Sequence, residues 1–281
     1  MPKDTILILG ASGFIGKNIF CNLNKKKYII FTLDKKKLFI SKNHFQKKIQ
    51  NININHYIEK YKISLIIDCI GFSSHDFSSP FKIKKNLFDN FLVKRQLLNN
   101  LEETKKKIFY ISLGSLYKFG KINKLKETCK KPLIFSSDIQ ALGKFIFESS
   151  LFSIKNKNIH SLVINLGSVY GGGGNKNNSL NFIDQIILAK QKKIKFKIYI
   201  NKRRYKNIIH IDDLCKAVVS IMFKKKNLSK FYQEYNLIGK LFDFEKLKNF
   251  NNFQFVNSNN DDLKNFYFIN KKPKCFNLFK N

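Results

Sequence analysis

A glycine-rich turn near the start of the chain has the residue types of a phosphate-binding loop. The segment GASGFIG, residues 10–16, follows a short apolar run, Thr5–Leu9, and precedes a stretch with apolar residues at helical spacing. In a strand–turn–helix of this kind, Gly10 permits the tight turn, Gly13 lets the backbone approach a pyrophosphate, and Gly16 allows close helix packing. The N-terminus of the helix offers its N–H groups to phosphate oxygens. The turn therefore predicts a dinucleotide site.

Asp34 supplies a second part of the same predicted site, because it ends the next apolar run, Tyr28–Leu33. A carboxylate at that place accepts hydrogen bonds from the adenosine ribose hydroxyls and repels a 2′-phosphate. This favours NAD over NADP as the cofactor, although Lys35 and Lys36 follow directly and leave NADP open. The residues that we assign to cofactor binding on this basis are Gly10, Ser12, Gly13, Phe14, Ile15, Gly16 and Asp34.

Apolar runs alternate with amphipathic stretches along much of the chain. The helical patterns cover about residues 14–24, 86–104 and 138–156, and the apolar runs are Thr5–Leu9, Tyr28–Leu33, Ser64–Ile70, Ile108–Ser112 and His160–Leu166. Runs without polar alternation, separated by helices, are typical of parallel strands that are buried on both faces. The pattern predicts an α/β fold with a Rossmann-like, doubly wound parallel sheet. The last third has fewer strand signals and indicates a smaller appended region.

The chain is strongly basic, with 53 Lys and Arg residues against 19 Asp and Glu residues and a formal net charge of +34. Only three of the basic residues are arginine, which is the residue expected where phosphates or bases are bound by paired hydrogen bonds. The abundance of Lys, Asn, Ile and Phe matches A/T-rich codons, and the lysines are spread along the whole chain. We therefore expect only non-specific, salt-sensitive attraction of nucleic acid.

Cysteine and histidine are scattered, which argues against a metal site. None of the five cysteines forms a C-x-x-C pair, and the five histidines are equally dispersed. An odd, unclustered set of thiols is typical of a reducing compartment. No apolar run approaches the ~20 residues that span a bilayer, and the N-terminus lacks the order of regions of a signal peptide. These features predict a cytoplasmic protein without a membrane span.

The spacing of the turn, G-x-x-G-x-x-G, and several further motifs in order resemble the extended short-chain dehydrogenase/reductase family, the nucleotide-sugar epimerases and dehydratases. The matching segments are Ser64–Gly71, Asn90 within NFLVKRQLL, SLGSLY at 112–117, NLGSVYGGG at 165–173, IIHIDDL at 208–214 and YNLIG at 235–239. The resemblance covers nearly the whole chain. It implies a dinucleotide-binding domain at 1–165 and a small C-terminal substrate-binding lobe at 166–281, with about 208–225 returning to the Rossmann sheet.

The family's catalytic residues are only partly present. The family uses a Tyr-x-x-x-Lys pair on one helix together with a Ser or Thr, and the lysine also binds the nicotinamide ribose. In the matching segment, SSDIQALGKFIFE, Lys144 stands at the lysine position and Gln140 at the tyrosine position. Leu113 stands at the usual Ser or Thr position. Because an amide cannot exchange a proton near neutral pH, the resemblance implies an altered proton relay.

Other residues near these positions are candidates to complete the site. Ser112 or Ser115 could supply the missing hydroxyl, and the alternatives Tyr117 and Asp138 stay open. The resemblance also implies contacts with a nucleotide-sugar substrate, for which the matching residues are Lys206, Arg204 and Asn165. A lysine at position 206 keeps the charge of the usual basic residue but offers no paired hydrogen bonds to a diphosphate.

Three functions remain as hypotheses at this point. The first is an NAD-dependent nucleotide-sugar epimerase, dehydratase or 4-keto-reductase with an atypical set of catalytic residues. The second is a non-catalytic, NAD-binding regulator or scaffold of the same fold, which the loss of the tyrosine and of the hydroxyl residue would suit. The third, a nucleic-acid-binding derivative, has only the net charge in its favour. The resemblance further implies a homodimer formed through the helices near 86–104 and 138–156.

Overall fold

The computed structural model describes residues 4–36, 41–47, 52–71, 93–116, 139–171, 182–200, 205–224 and 231–257. These residues fall into two compact units. One contains the described parts of 1–115, 138–165 and 218–235, and the other contains the described parts of 116–137, 166–217 and 236–281. Among the helices of these ranges, none is long and apolar enough to cross a membrane.

The secondary structure alternates between strands and helices, as the sequence predicts. The strands are β1 (Asp4–Leu9), β2 (Tyr28–Asp34), β3 (His44–Gln46), β4 (Leu65–Asp68), β5 (Ile108–Ser115), β6 (Ile159–Leu166), β7 (Ser168–Tyr170), β8 (Phe196–Ile200), β9 (Tyr205–His210), β10 (Tyr232–Leu237), β11 (Lys240–Asp243) and β12 (Phe253–Asn257). The helices are α1 (Phe14–Asn22), α2 (Ile54–Lys60), α3 (residues 93–103), α4 (Ile139–Phe152), α5 (Phe182–Lys192) and α6 (Ile211–Lys224), with a 3₁₀ helix at Phe244–Leu247.

The first unit is built on a seven-stranded sheet with the order β10-β6-β5-β4-β1-β2-β3. The pairs β1–β2, β1–β4, β2–β3 and β4–β5 are parallel. Six strands therefore follow the order 3-2-1-4-5-6, which confirms the expected Rossmann-like α/β fold. The strand order reverses between β1 and β4. Sheets of this type bind their ligands at the carboxyl ends of the strands beside such a reversal.

Burial explains why the apolar runs form the centre of this sheet. Five of the six residues of β1 and all four residues of β4 are buried. Leu7 and Ile66 pack in one cluster with Tyr110 of β5, Ile58 of α2 and Phe147 of α4. Burying one such large apolar side chain stabilises the fold by about 1.5–3 kcal/mol. The core therefore fixes the strands whose carboxyl ends carry the polar residues considered below.

The second unit contains two small sheets, β11-β9-β7 and β12-β8. Its core includes Ile183 and Ile186 of α5, Ile208 of β9 and Phe253 of β12. Strands β8 to β12 all lie in the last third, where the sequence has fewer strand signals. Strands such as FKIYI and YKNIIH mix Lys and Asn with apolar residues, so they lack the continuous apolar runs of the central sheet. The assignment of this region as a substrate-binding lobe stays a prediction.

Candidate active site

The glycine turn follows β1 directly, at the point where the strand order reverses. Gly10 has a φ of +73°, which an L-residue with a side chain adopts only under strain. Its N–H donates to Leu33 O at 2.9 Å, and its carbonyl accepts from Gly13 N–H at 3.1 Å. A Cβ on Gly10 would also lie 3.0 Å from the Cys69 carbonyl carbon. Glycine at this position is therefore required by both the backbone angle and the close approach of β4.

Helix α1 presents an uncapped N-terminus at this turn. Gly13 is its N-cap residue and makes no side-chain cap hydrogen bond, and the first turn carries no acidic residue. A Cβ on Gly16 would overlap the Gly10 carbonyl oxygen and lie 3.0 Å from Ala11 Cα, so this glycine lets the helix begin tightly against the turn. The first N–H groups of an α-helix have no partner within the helix. An anion beside Gly13 would therefore meet backbone donors and the positive end of the helix dipole.

Asp34, at the end of the neighbouring strand β2, is hydrogen-bonded to the glycine turn. Its Oδ2 accepts from Ser12 N–H at 3.0 Å, and its Oδ1 accepts from Lys36 N–H at 3.0 Å. The His44 ring bridges Lys36 O at 2.9 Å and Thr32 Oγ1 at 3.0 Å. The carboxylate thus has a structural role that the sequence did not predict: it ties the glycine turn to the segment after β2. It is partly exposed there.

Asp68 is a buried carboxylate that the sequence reasoning did not single out. It ends β4, and its register partners are Leu9 of β1 and Ser112 of β5. With only 1% of its surface exposed, it lies at the carboxyl end of the strand next to the glycine turn. A signal was present in the sequence, because Asp68 is the one charged residue within the apolar run Ser64–Ile70.

Three donors form hydrogen bonds with the buried Asp68 carboxylate, and Lys94, one of the three, also balances its charge. The Tyr110 hydroxyl donates to Oδ2 at 2.6 Å, and Ile70 N–H donates to Oδ1 at 2.9 Å. Lys94 Nζ of α3 forms an ion pair with Oδ2. Burial, and then the Asp68 charge, raise the pKa of Tyr110 well above its usual value. Tyr110 therefore stays protonated and acts as a hydrogen-bond donor.

Lys144 of α4 lies at the carboxyl end of the next strand, β5. Its Nζ donates to the carbonyl oxygen of Leu113. Burial, and then the charge of Lys94, lower the pKa of Lys144. Gln140 lies one turn earlier in α4, and its side chain is outside the described residues. Lys144 is therefore an ionisable group of altered proton affinity at β5, the strand that pairs with β4 and its terminal Asp68.

The two predicted serines occupy different environments at the end of β5. Ser112 is 3% exposed and lies opposite Asp68 in the strand register. Ser115 is the last residue of β5 and is partly exposed. Leu113, at the position where the family has a hydroxyl residue, is buried and contributes its backbone carbonyl to Lys144. Ser115 is thus the more accessible of the two hydroxyl candidates, and its role stays a prediction.

Asn165 lies inside the first unit, where it has no exposed surface. Its Nδ2 donates to Glu234 Oε1 of β10 at 2.7 Å. A Cβ on Gly114 would lie 2.5 Å from Glu148 Oε1 and would overlap Asn165 Oδ1. This packing gives Asn165 a role in joining β5, β6 and β10. A contact of Asn165 with a substrate stays a prediction.

The predicted basic substrate residues lie at the edge of the described ranges. Lys206 is in β9, but its side chain is outside the described residues, and so is all of Arg204. His210, at the end of β9, packs edge-on against Tyr170 and accepts from Asp212 N–H at 3.3 Å. These contacts join elements of the second unit and give His210 a structural role.

No group of three or more His, Cys, Asp or Glu side chains that could hold a metal ion occurs in the part of the chain that the structure describes. The carboxylates Asp34 and Asp68 end β2 and β4, and the lysines Lys94 and Lys144 reach β4 and β5 from α3 and α4.

Comparison with solved structures shows the same fold. UDP-glucose 4-epimerase from Thermotoga maritima, solved with UDP-glucose, has a TM-score of 0.75 at 14% identity, covering 94% of this chain and 89% of that one. UDP-glucuronic acid 4-epimerase from Bacillus cereus, solved with NAD, has a TM-score of 0.73 at 16% identity, covering 90% and 86%. ADP-L-glycero-D-manno-heptose-6-epimerase from Helicobacter pylori has a TM-score of 0.71 at 17% identity, covering 95% and 87%.

No curated protein sequence matches the chain closely enough to count as a relative. The decisive comparison is therefore with family models. The model described as the NAD dependent epimerase/dehydratase family matches residues 6–237, from the start of β1 to the end of β10. The matched range includes the glycine turn, Asp34, Asp68, Lys94 and Lys144. The chain belongs to the NAD dependent epimerase/dehydratase family.

Proposed function

We propose that this protein binds NAD at the turn 10–16 and uses it to oxidise and reduce a nucleotide-sugar, with Lys144 transferring the proton. The single observation that carries the proposal is the position of Lys144. Its ammonium is hydrogen-bonded at the end of β5, and burial and a neighbouring charge lower its pKa. A lowered pKa makes Lys144 release its proton more readily than an ordinary lysine, whereas the amide of a glutamine at position 140 cannot exchange a proton near neutral pH.

The residues of the turn fit NAD. Gly13 has no side chain where a pyrophosphate would approach, and the N-terminus of α1 has no side-chain cap that would compete for its N–H groups. The Asp34 carboxylate is held at the end of β2 with both oxygens oriented by backbone donors. It is suited to accept from ribose hydroxyls and disfavours a second phosphate.

The proposed chemistry needs one proton acceptor and one hydride acceptor. When bound, NAD supplies the capacity to take up a hydride and to return it. Neutral Lys144 Nζ takes the proton of a sugar hydroxyl as the carbon-bound hydrogen leaves with its electron pair, and Lys144 becomes an ammonium. In the reverse direction, the ammonium returns its proton to the oxygen. Epimerases, dehydratases and keto-reductases all share this step, so the residues described do not distinguish among them.

The substrate proposal draws on the solved structures of similar fold. Two of them contain or are named for UDP-sugars, and the third is named for an ADP-sugar. A nucleotide-sugar is therefore the substrate class that we propose, with its diphosphate toward Lys206 and Arg204. Turnover of UDP-glucose, UDP-glucuronic acid or an ADP-sugar would support the proposal. Binding of NAD without turnover of any nucleotide-sugar would favour the non-catalytic alternative.

Replacing Asp34 by asparagine is expected to weaken NAD binding about tenfold or more, because the neutral amide makes weaker hydrogen bonds to the ribose. The same change should weaken the preference for NAD over NADP. The measurement is calorimetric titration of nuclease-treated protein with NAD, NADH, NADP and NADPH at about 0.15 M salt, which screens the non-specific attraction of the basic surface. Glu59→Gln, at an exposed site in α2, removes the same charge and should leave the affinities unchanged. Failure of the natural sequence to bind any of the four would overturn the cofactor proposal.

We also propose that the protein is a cytoplasmic homodimer that associates through α3 and α4. Ile146 and Phe152 of α4 are 42% and 65% exposed, which leaves apolar surface on this helix that a second copy would cover. Light scattering after gel filtration should give twice the chain mass of 33.0 kDa. Ile146→Lys should shift the mass toward the monomer, and Ile29→Lys, at an equally exposed residue of β2, should not. A monomeric natural sequence would contradict the proposal.

A further inference from the structure

A histidine on the short strand β3 is connected to the carboxylate of the proposed cofactor site. His44 Nε2 lies 2.9 Å from Lys36 O, and His44 Nδ1 lies 3.0 Å from Thr32 Oγ1. A carbonyl oxygen only accepts, so Nε2 carries the hydrogen, and Nδ1 of the neutral ring accepts from the Thr32 hydroxyl. Thr32 is fully buried and is the register partner of His44. Both ring nitrogens therefore have partners, which fixes the orientation of the ring.

The hydrogen bond to Lys36 connects the His44 ring to Asp34. Lys36 N–H donates to Asp34 Oδ1 at 3.0 Å, while the Lys36 carbonyl accepts from the ring. The other carboxylate oxygen, Oδ2, accepts from Ser12 N–H of the glycine turn at 3.0 Å. Because His44 holds residue 36 by its carbonyl, it limits the rotation of the segment that orients one oxygen of the carboxylate.

Backbone hydrogen bonds hold β3 against β2 without the ring. Thr32 N–H donates to Asn43 O at 3.0 Å, and Lys47 N–H donates to Asp34 O at 2.9 Å. These bonds lie on either side of the histidine and do not involve its side chain. Removal of the ring should therefore leave the strand pair in place and loosen only the carboxylate and the exposed residues 35–36.

We propose that His44 is a positioning residue that holds Asp34 and the segment after it in the arrangement that selects NAD over NADP. This inference rests on the proposed cofactor site at the turn 10–16. A fixed carboxylate accepts from the ribose hydroxyls and repels a 2′-phosphate. Without the ring, the carboxylate can turn away, and the exposed Lys35 and Lys36 can approach a 2′-phosphate as point charges.

Two substitutions at position 44 separate this role from a merely structural one. The amide nitrogen of glutamine stands as many bonds from Cβ as Nε2 of histidine does, whereas that of asparagine stands one bond closer. His44→Asn should therefore lose the bond to Lys36 O, and the ratio of NAD affinity to NADP affinity should fall about 5- to 10-fold, the effect of one hydrogen bond. His44→Gln should keep the natural ratio. Calorimetric titration of the full chain with NAD and NADP at about 0.15 M salt measures both affinities.

Two further variants complete this test. His56→Asn makes the same change at an exposed histidine of α2 and should leave the ratio unchanged. Thr32→Val keeps the shape of the side chain but removes the hydroxyl that orients the ring, so it should lower the ratio as His44→Asn does. Equal ratios in His44→Asn and the natural sequence would overturn the inference. If His44→Asn does not fold, a natural ratio in Thr32→Val would overturn it.

Amide hydrogen exchange separates this inference from the proposed function. In the cofactor-free full chain, the Lys36 amide should exchange faster in His44→Asn than in His44→Gln or the natural sequence, because its bond to Asp34 opens more often. If the natural sequence binds NAD but neither the ratio nor the exchange changes in His44→Asn, the inference alone fails. If the natural sequence binds neither NAD nor NADP, the proposed cofactor site fails, and exchange at Lys36 alone decides whether His44 positions Asp34.

Discussion

Replacing Asp68 by alanine is expected to lower the free energy of unfolding by about 3–5 kcal/mol. Asp68 is almost completely buried and accepts from Tyr110, Lys94 and the Ile70 N–H. Its removal leaves the Lys94 ammonium without its counter-charge and the Tyr110 hydroxyl without its acceptor. The desolvation of both groups is then uncompensated, which makes the cost larger than the net contribution of the intact pair.

Urea unfolding followed by circular dichroism measures this loss. Asp34→Ala is the matched control, because Asp34 also ends a strand of the same sheet but is partly exposed and accepts from the backbone N–H groups of Ser12 and Lys36. Its loss of stability should be clearly smaller. In a double-mutant cycle, Asp68→Ala and Lys94→Met together should cost less than the sum of the single changes, because the double variant leaves no unpaired charge. Equal losses for Asp68→Ala and Asp34→Ala would contradict the role assigned to the ion pair.

The central strands were predictable from sequence because their physical signal is local. Residues 6–9 of β1 and 65–67 of β4 are all apolar and buried, because both faces of the sheet are covered there, and such runs can be read directly. Part of the glycine turn is equally local, since a Cβ on Gly16 would meet Gly10 and Ala11 of the same turn, whereas a Cβ on Gly10 would meet Cys69 after β4. Asp34 was predicted because a carboxylate at the end of the second strand of such a fold accepts hydrogen bonds from the adenosine ribose.

The Asp68 cluster was not predictable in the same way, because its partners are distant in the chain. Lys94 follows Asp68 by 26 residues and Tyr110 follows it by 42. Nothing in the sequence distinguishes Lys94 from the other lysines, of which the chain has fifty in all. Only the parallel register of β4 and β5 and the position of α3 bring these groups together. Sequence therefore located the cofactor turn but not the charges that act on Lys144.

Gly13→Asp is expected to weaken NAD binding at least about 100-fold, or about 2.7 kcal/mol, while leaving the fold intact. Gly13 is the N-cap of α1 with φ −71° and ψ 165°, an extended conformation that any residue adopts. Aspartate is among the preferred N-cap residues, because its side chain accepts from the first N–H groups of the helix. The substitution therefore occupies the donors that a pyrophosphate would use and places a negative charge beside them. Calorimetric titration with NAD measures the loss.

Two further variants separate the causes of this effect. Gly13→Asn has the same size and capping ability without the charge, so it should weaken binding less than Gly13→Asp. Gly16→Ala should instead destabilise the fold, because its Cβ would overlap the Gly10 carbonyl oxygen. We expect it to lower the free energy of unfolding by about 1–3 kcal/mol. A Cβ on Gly13 would lie 3.3 Å from that oxygen, so position 13 tolerates a side chain that position 16 does not.

The contrast between positions 13 and 16 distinguishes a binding site from a structural turn. If the turn served only to connect β1 with α1, a capping aspartate at position 13 would be neutral or slightly stabilising and would have no other effect. If the turn binds NAD, the same aspartate keeps the helix and removes the cofactor. Retention of NAD binding by a stable Gly13→Asp protein would therefore show that NAD does not bind at this turn. Loss of binding with unchanged stability would identify the N-terminus of α1 as the pyrophosphate site.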